Sequence, residues 1–219
     1  MADIFPSSLS DQVTSAGIVA VLVIDRVEDS IPLAKALLAG GVRVMELTLR
    51  TEAALGALET ISREVPEMIA GAGTVLTPEQ VKQVKSAGAA FAVSPGVNRR
   101  VMDAAVDAGI AFAPGVATPS DIETALEYDC RLLKFFPCEP SGGLPFLKAM
   151  AAPYQHLGVK FIPLGGINAA NMATYLASPL VAALGGSWLA PRDLIKGANW
   201  EKITDLAREA VNTINSTRS

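Results

Sequence analysis

Of 219 residues, 50% are hydrophobic and 18% charged, which supplies a large core and excludes a disordered chain. The 18 Lys and Arg against 22 Asp and Glu give a net charge of -4, so there is no basic excess for a nucleic-acid partner. Two cysteines and one histidine make neither a disulfide framework nor a zinc pattern. No apolar run reaches the roughly 18 residues of a membrane span, and the start Met1-Ala2-Asp3-Ile4 lacks a basic leader, so a cytoplasmic protein is expected.

Residues 1–17 are predicted to form a helix closing the bottom of a barrel. From there one pattern repeats: a short apolar run, a helical stretch, often a closing glycine, and the next run. The runs are Ile18–Ile24, Val42–Leu49, Met68–Val75, Phe91–Ser94, Ala111–Val116, Leu132–Pro137, Lys160–Gly165 and Val181–Leu189. Between them apolar residues recur at helical spacing, as in Ile31, Ala34, Leu37 and Leu38, or Val81, Val84 and Ala87. Gly41, Gly88, Gly109 and Gly158 stand where a helix end favours a left-handed residue. Thr77-Pro78-Glu79-Gln80 offers a capping threonine, a first-turn proline and a glutamine placed to close a capping box; Thr118-Pro119-Ser120-Asp121 starts alike.

Strand–helix alternation calls for a parallel sheet, and eight units in this length fit an α/β (β/α)8 TIM barrel with an extra N-terminal helix. An open doubly wound sheet usually carries a glycine-rich turn after its first strand; here that strand ends Val23-Ile24-Asp25-Arg26. No linker divides the chain, so residues 1–219 are read as a single domain.

In such barrels chemistry gathers at the C-terminal ends of the strands. In Val44-Met45-Glu46-Leu47-Thr48-Leu49-Arg50, alternation puts Glu46, Thr48 and Arg50 on the interior face. The competing reading is a structural ion pair between Glu46 and Arg50. Lys134 lies in the apolar run Leu132-Leu133-Lys134-Phe135-Phe136-Pro137. A desolvated lysine beside other cations becomes a nucleophile able to form a Schiff base with a carbonyl. Its competing readings are a snorkelling side chain or a salt bridge to Glu46.

Gly71-Ala72-Gly73-Thr74, Gly165-Gly166-Ile167-Asn168 and Gly185-Gly186-Ser187 read as glycine–hydroxyl turns. The last two follow strands seven and eight, where barrels build phosphate sites from backbone N–H groups and a helix N-terminus. The bland alternative is a set of tight turns. Cys130 and Cys138 read as plain small residues, His156 as a surface residue and Trp188 as packing.

Together these segments resemble the 2-keto-3-deoxy-6-phosphogluconate (KDPG) and 4-hydroxy-2-oxoglutarate (KHG) aldolases. The residues that carry the resemblance are Gly41 to Glu52, Gly71 to Leu76, Ser94-Pro95-Gly96, Pro114-Gly115, Lys134 to Pro137, Gly165-Gly166-Ile167 and Gly185 to Leu189, in the family's order from about residue 15 to about 212. The resemblance implies a class I aldolase of the Entner–Doudoroff pathway, usually trimeric, with no cofactor and no metal. Its substrate would be a phosphorylated keto-deoxy sugar acid, split into pyruvate and glyceraldehyde 3-phosphate, and often 4-hydroxy-2-oxoglutarate as well. It makes Lys134 the Schiff-base lysine and Glu46 the general acid/base. Arg50 and Thr74 would hold the pyruvate carboxylate, Pro95 and Phe136 would line the site, and Gly165, Gly166, Gly186 and Ser187 would hold the phosphate. The family usually has threonine two residues before Gly166; here Leu164 stands there, so it becomes the candidate specificity residue, and alternation turns it toward the cavity. A metal-free sugar-phosphate isomerase or epimerase, and a non-catalytic barrel binding a phosphate ligand, are the alternatives.

Overall fold

The computed structural model describes residues 4–218. Its strands are β1 (Ile18–Leu22), β2 (Val44–Thr48), β3 (Ile69–Gly73), β4 (Phe91–Val93), β5 (Ala111–Ala113), β6 (Gly115–Val116), β7 (Leu132–Phe135), β8 (Lys160–Pro163) and β9 (Leu184–Gly186). All pair in parallel, in the orders β5-β4-β3-β2-β1-β9 and β6-β7-β8. A parallel bridge between Phe161 and Val181 joins β8 to the segment entering β9 and closes the barrel.

The eight predicted runs become nine strands because the fifth is split. Pro114 has no N–H to give a ladder, so β5 pairs with β4 while β6 pairs with β7. Its carbonyl still accepts from Lys134 N at 3.0 Å, which keeps the two pieces in one stave.

The helices are α1 (Ser7–Ala16), α2 (Ser30–Ala39), α3 (Ala53–Glu64), α4 (Pro78–Ser86), α5 (Arg99–Ala108), α6 (Pro119–Leu126), α7 (Gly143–Ala151), α8 (Met172–Leu176), α9 (Arg192–Lys196) and α10 (Trp200–Arg218). In α10, Ile203, Ala207, Ala210 and Ile214 recur at three- and four-residue spacing and are buried. Full burial of each such isoleucine contributes about 1.5–3 kcal/mol. Thr204 Oγ1 donates to Ala36 O at 2.9 Å, tying α10 to α2.

Helix punctuation follows the sequence with one shift. Gly41, Gly88, Gly109 and Gly158 all have positive φ. Thr118 and Asp121 form the full capping box. Thr77 caps α4, but the Gln80 side chain accepts from Leu76 N, one residue ahead of the cap, so that box is not closed.

Of residues 1–17, the first three lie outside the described residues. Ile4 O accepts from Phe112 N at 3.2 Å, and the Phe5 ring lies 6.2 Å from that of Phe91, at the start of β4. One buried apolar cluster runs from Ile4 to Ile214. Among the described residues no helix is long and apolar enough to cross a membrane.

Candidate active site

Glu46 is the middle residue of β2, in register with Val21 and Gly71; Lys134 lies in β7, in register with Gly115 and Ile162. They belong to different sheets of the barrel and meet across its interior. Lys134 Nζ donates to Glu46 Oε1 at 3.0 Å, with the side chains 9% and 3% exposed. Either charge alone at this depth would cost several kcal/mol of desolvation, so each needs the other. The salt bridge foreseen for Lys134 therefore exists. It also places a proton acceptor within hydrogen-bond reach of a candidate nucleophile. The alternative pairing of Glu46 with Arg50 does not form. Arg50 Nε instead donates to Thr48 Oγ1 at 3.1 Å.

The stretch Gly71-Ala72-Gly73 is not a turn, as its composition led one to expect, but lies inside β3. Its two glycines make interior space. A methyl on Gly73 would stand 1.9 Å from Glu46 Oε1, and one on Gly71 2.3 Å from the Phe91 ring. A glycine pair signals such close approach as readily as a turn, and only the three-dimensional neighbours decide between them.

Glu46 and Lys134 open into a cavity of about 280 Å³ at the C-terminal ends of the strands. Thr48, Arg50 and Thr74, which end or follow β2 and β3, border it with them, as do Gly165, Gly185 and Ser187, which lie in or follow β8 and β9. Val21, Pro95, Phe136 and Leu164 complete the wall. Lys134 Nζ sits 5.6 Å from the Phe136 ring centroid, within cation–π range. Thr74 has φ +60°, a left-handed conformation that costs a threonine about 1–2 kcal/mol and here lies on the cavity edge.

Leu164 is buried, and its side chain lies where any side chain on Gly185 would have to go. Gly185, read as part of a glycine–hydroxyl turn, lies inside β9 and lines the cavity, and Val21 is a lining residue that the sequence reading missed; strand alternation was the available signal. Gly165 and Gly166 both have φ near +90°, a turn open to glycine and poorly to other residues. A side chain on Gly166 would meet Glu139 and one on Gly186 would meet Trp188, and neither glycine is among the residues that line the cavity. The helix that follows β9 starts only at Arg192, leaving Ser187 in a turn.

His156 is exposed. Cys138 is buried, and its thiol donates to the Tyr175 hydroxyl at 3.3 Å, which in turn donates to Glu139. Burial pushes the Cys138 thiol up to about 11, against a lowering from the Tyr175 contact and a further raise from the Glu139 charge. The Tyr175 hydroxyl is pushed up as well, chiefly by burial. Among the described residues no three of His, Cys, Asp and Glu gather as a metal-ligating group.

The sequence pattern of the family "KDPG and KHG aldolase" matches residues 9–206. The KHG/KDPG aldolase of Escherichia coli (strain K12) is 46% identical over 205 residues, covering 94% of this chain and 95% of that one. The crystal structure of KDPG aldolase from Legionella pneumophila, with pyruvate captured at low pH as a covalent carbinolamine intermediate, superposes with a TM-score of 0.87 at 44% identity, over 92% of this chain and 97% of that one. The KDPG aldolase of Zymomonas mobilis ZM4 with 3-phosphoglycerate gives 0.84 at 41% identity, over 92% and 94%.

Proposed function

The chain belongs to the KDPG and KHG aldolase family, and from that premise we propose that it is a class I aldolase whose imine forms on Lys134. It cleaves 2-dehydro-3-deoxy-6-phosphogluconate to pyruvate and D-glyceraldehyde 3-phosphate, and 4-hydroxy-2-oxoglutarate to pyruvate and glyoxylate. The observation that carries this reading is the 3.0 Å contact between Lys134 Nζ and Glu46 at the base of a cavity bordered by Arg50.

The chemistry follows from those groups. Glu46 takes a proton from the Lys134 ammonium, and the freed amine attacks the C2 ketone. The carbinolamine loses water, with Glu46 returning the proton, to leave a protonated imine. Removing the C4 hydroxyl proton then breaks the C3–C4 bond. Its electron pair moves into the imine as an enamine, and the aldehyde leaves. Protonation of the enamine carbon and hydrolysis release pyruvate and restore the amine. One carboxylate beside the nitrogen serves each transfer, directly or through a water.

Arg50 clamps the substrate carboxylate with its terminal nitrogens, with Thr74 beside it. Pro95 and Phe136 flank the reacting carbons. The phosphate is held at the opposite end by backbone N–H groups around Gly165, Gly166 and Gly186 and by the Ser187 hydroxyl. The reading includes a cytoplasmic location, a single domain closed below by the N-terminal helix, and assembly as a homotrimer, which sedimentation would measure.

Borohydride with pyruvate tests the central step. It should add a reduced pyruvyl group to the peptide containing Lys134, and Lys134→Ala should lose both adduct and turnover. An adduct on a different lysine would overturn the assignment.

A further inference from the structure

Thr48 is buried at the end of β2, 4% exposed, yet it borders the cavity. Its hydroxyl makes two directed contacts. It donates to Leu22 O on the neighbouring β1 at 2.9 Å, and it accepts from Arg50 Nε at 3.1 Å. A hydroxyl has one proton and two lone pairs, so giving that proton to a strand carbonyl turns a lone pair outward. The rigid barrel thus fixes where the acceptor points. The Arg50 backbone is bent to suit, since its N–H donates to Thr48 O at 2.7 Å. Among the described residues no carboxylate pairs with Arg50, which borders the cavity and is exposed.

We infer that Thr48 is a positioning residue for the Arg50 carboxylate clamp. It acts through Arg50 and relays the geometry of β1 to the pyruvate end of the site. A free arginine side chain carries several rotatable bonds, and holding Nε fixes the plane of its fork before substrate arrives. A valine in place of Thr48 keeps the β-branched shape but has no acceptor, whereas serine keeps the acceptor. The inference rests on the proposed aldolase reading.

The test measures adduct formation at Lys134 with borohydride as pyruvate is raised, together with steady-state KM and kcat and the melting temperature. Thr48→Val should raise the half-saturating pyruvate concentration and KM roughly tenfold, the scale of a lost hydrogen bond to a charged group. It should change kcat less than KM. Thr48→Ser should stay within about twofold of wild type. In an Arg50→Ala background, Thr48→Val should add nothing further, because the residue it positions is gone. Equal impairment of Val and Ser, an unchanged KM in Thr48→Val, or additive losses in the double variant would each overturn the role. A Thr48→Val protein with a lowered melting temperature but wild-type half-saturation would show a structural role only. Wild-type protein giving no pyruvate adduct at all would instead overturn the aldolase reading.

Discussion

Gly73 seats Glu46: a single methyl group on Gly73 would stand 1.9 Å from the carboxylate oxygen that pairs with Lys134. Gly73→Ala therefore has to push the Glu46 carboxylate off Lys134 Nζ, since the strand backbone beneath is fixed by the β2–β3 ladder. The expected result is a fall in kcat of roughly ten- to a hundredfold, with an overpacking cost of about 1–3 kcal/mol. Thermal melting and single-turnover cleavage read the two separately. A variant with wild-type kcat would show that Glu46 has another seat.

Two neighbours on β2 should fail differently. Glu46→Gln keeps the shape and removes the proton acceptor, so turnover should drop about 10²–10⁴-fold while pyruvate binding changes little. Arg50→Ala should chiefly weaken pyruvate binding, by roughly ten- to a hundredfold. Steady-state kinetics beside trapping at varied pyruvate distinguishes them, and matched effects on both parameters in both variants would contradict the division.

Leu164 packs over Gly185 on the cavity wall. An apolar wall discriminates by shape, worth about 1–3 kcal/mol, whereas a hydroxyl can read a substrate hydroxyl directly. The wild type should discriminate weakly between the gluconate-derived substrate and its C4 epimer and should accept shorter aldehydes. Leu164→Thr should sharpen the preference for the gluconate-derived compound. Competition between the two epimers measures it; a wild type already as selective as the variant would assign the reading of that hydroxyl to another residue.

The imine supplies the electron sink, so activity should survive exhaustive EDTA treatment. Activity lost on chelation and restored by zinc or magnesium would contradict an imine mechanism.

With its thiol held near 11 by burial, Cys138 stays protonated through neutral and mildly alkaline pH. Iodoacetamide at pH 8 should leave the Cys138 peptide unlabelled in the native enzyme and label it in denaturant. Native labelling at the rate of a free thiol would contradict its burial.

Much of this was legible in the sequence because the signals were local. The eight apolar runs, the helix-ending glycines and the Thr118 capping box each depend on residues a few positions apart. Lys134 was conspicuous because a charge in an apolar strand demands a partner, and Glu46 was named as one. Less legible were features set by distant neighbours. Gly71 and Gly73 looked like a turn because their composition does not reveal Phe91 and Glu46 pressing in from adjacent strands. The Cys138 contact crosses 37 residues to Tyr175, beyond any spacing rule. The split at Pro114 needed knowledge of which neighbour each half would pair with.

That split gives the barrel the character of two arcs, one of six strands and one of three. Glu46 stands on the larger arc and Lys134 on the smaller. They are joined at the stave broken by Pro114 and at the single bridge from Phe161 to Val181. The Glu46–Lys134 contact is thus a gauge of barrel closure: its length follows from two seams, one held by the Lys134 amide on Pro114 O and the other by Phe161. In hydrogen–deuterium exchange the amides of Phe161 and Ala182, which hold the second seam, should exchange ahead of those inside either arc. A substitution that loosens that seam should detune proton transfer while circular dichroism still reports an intact fold.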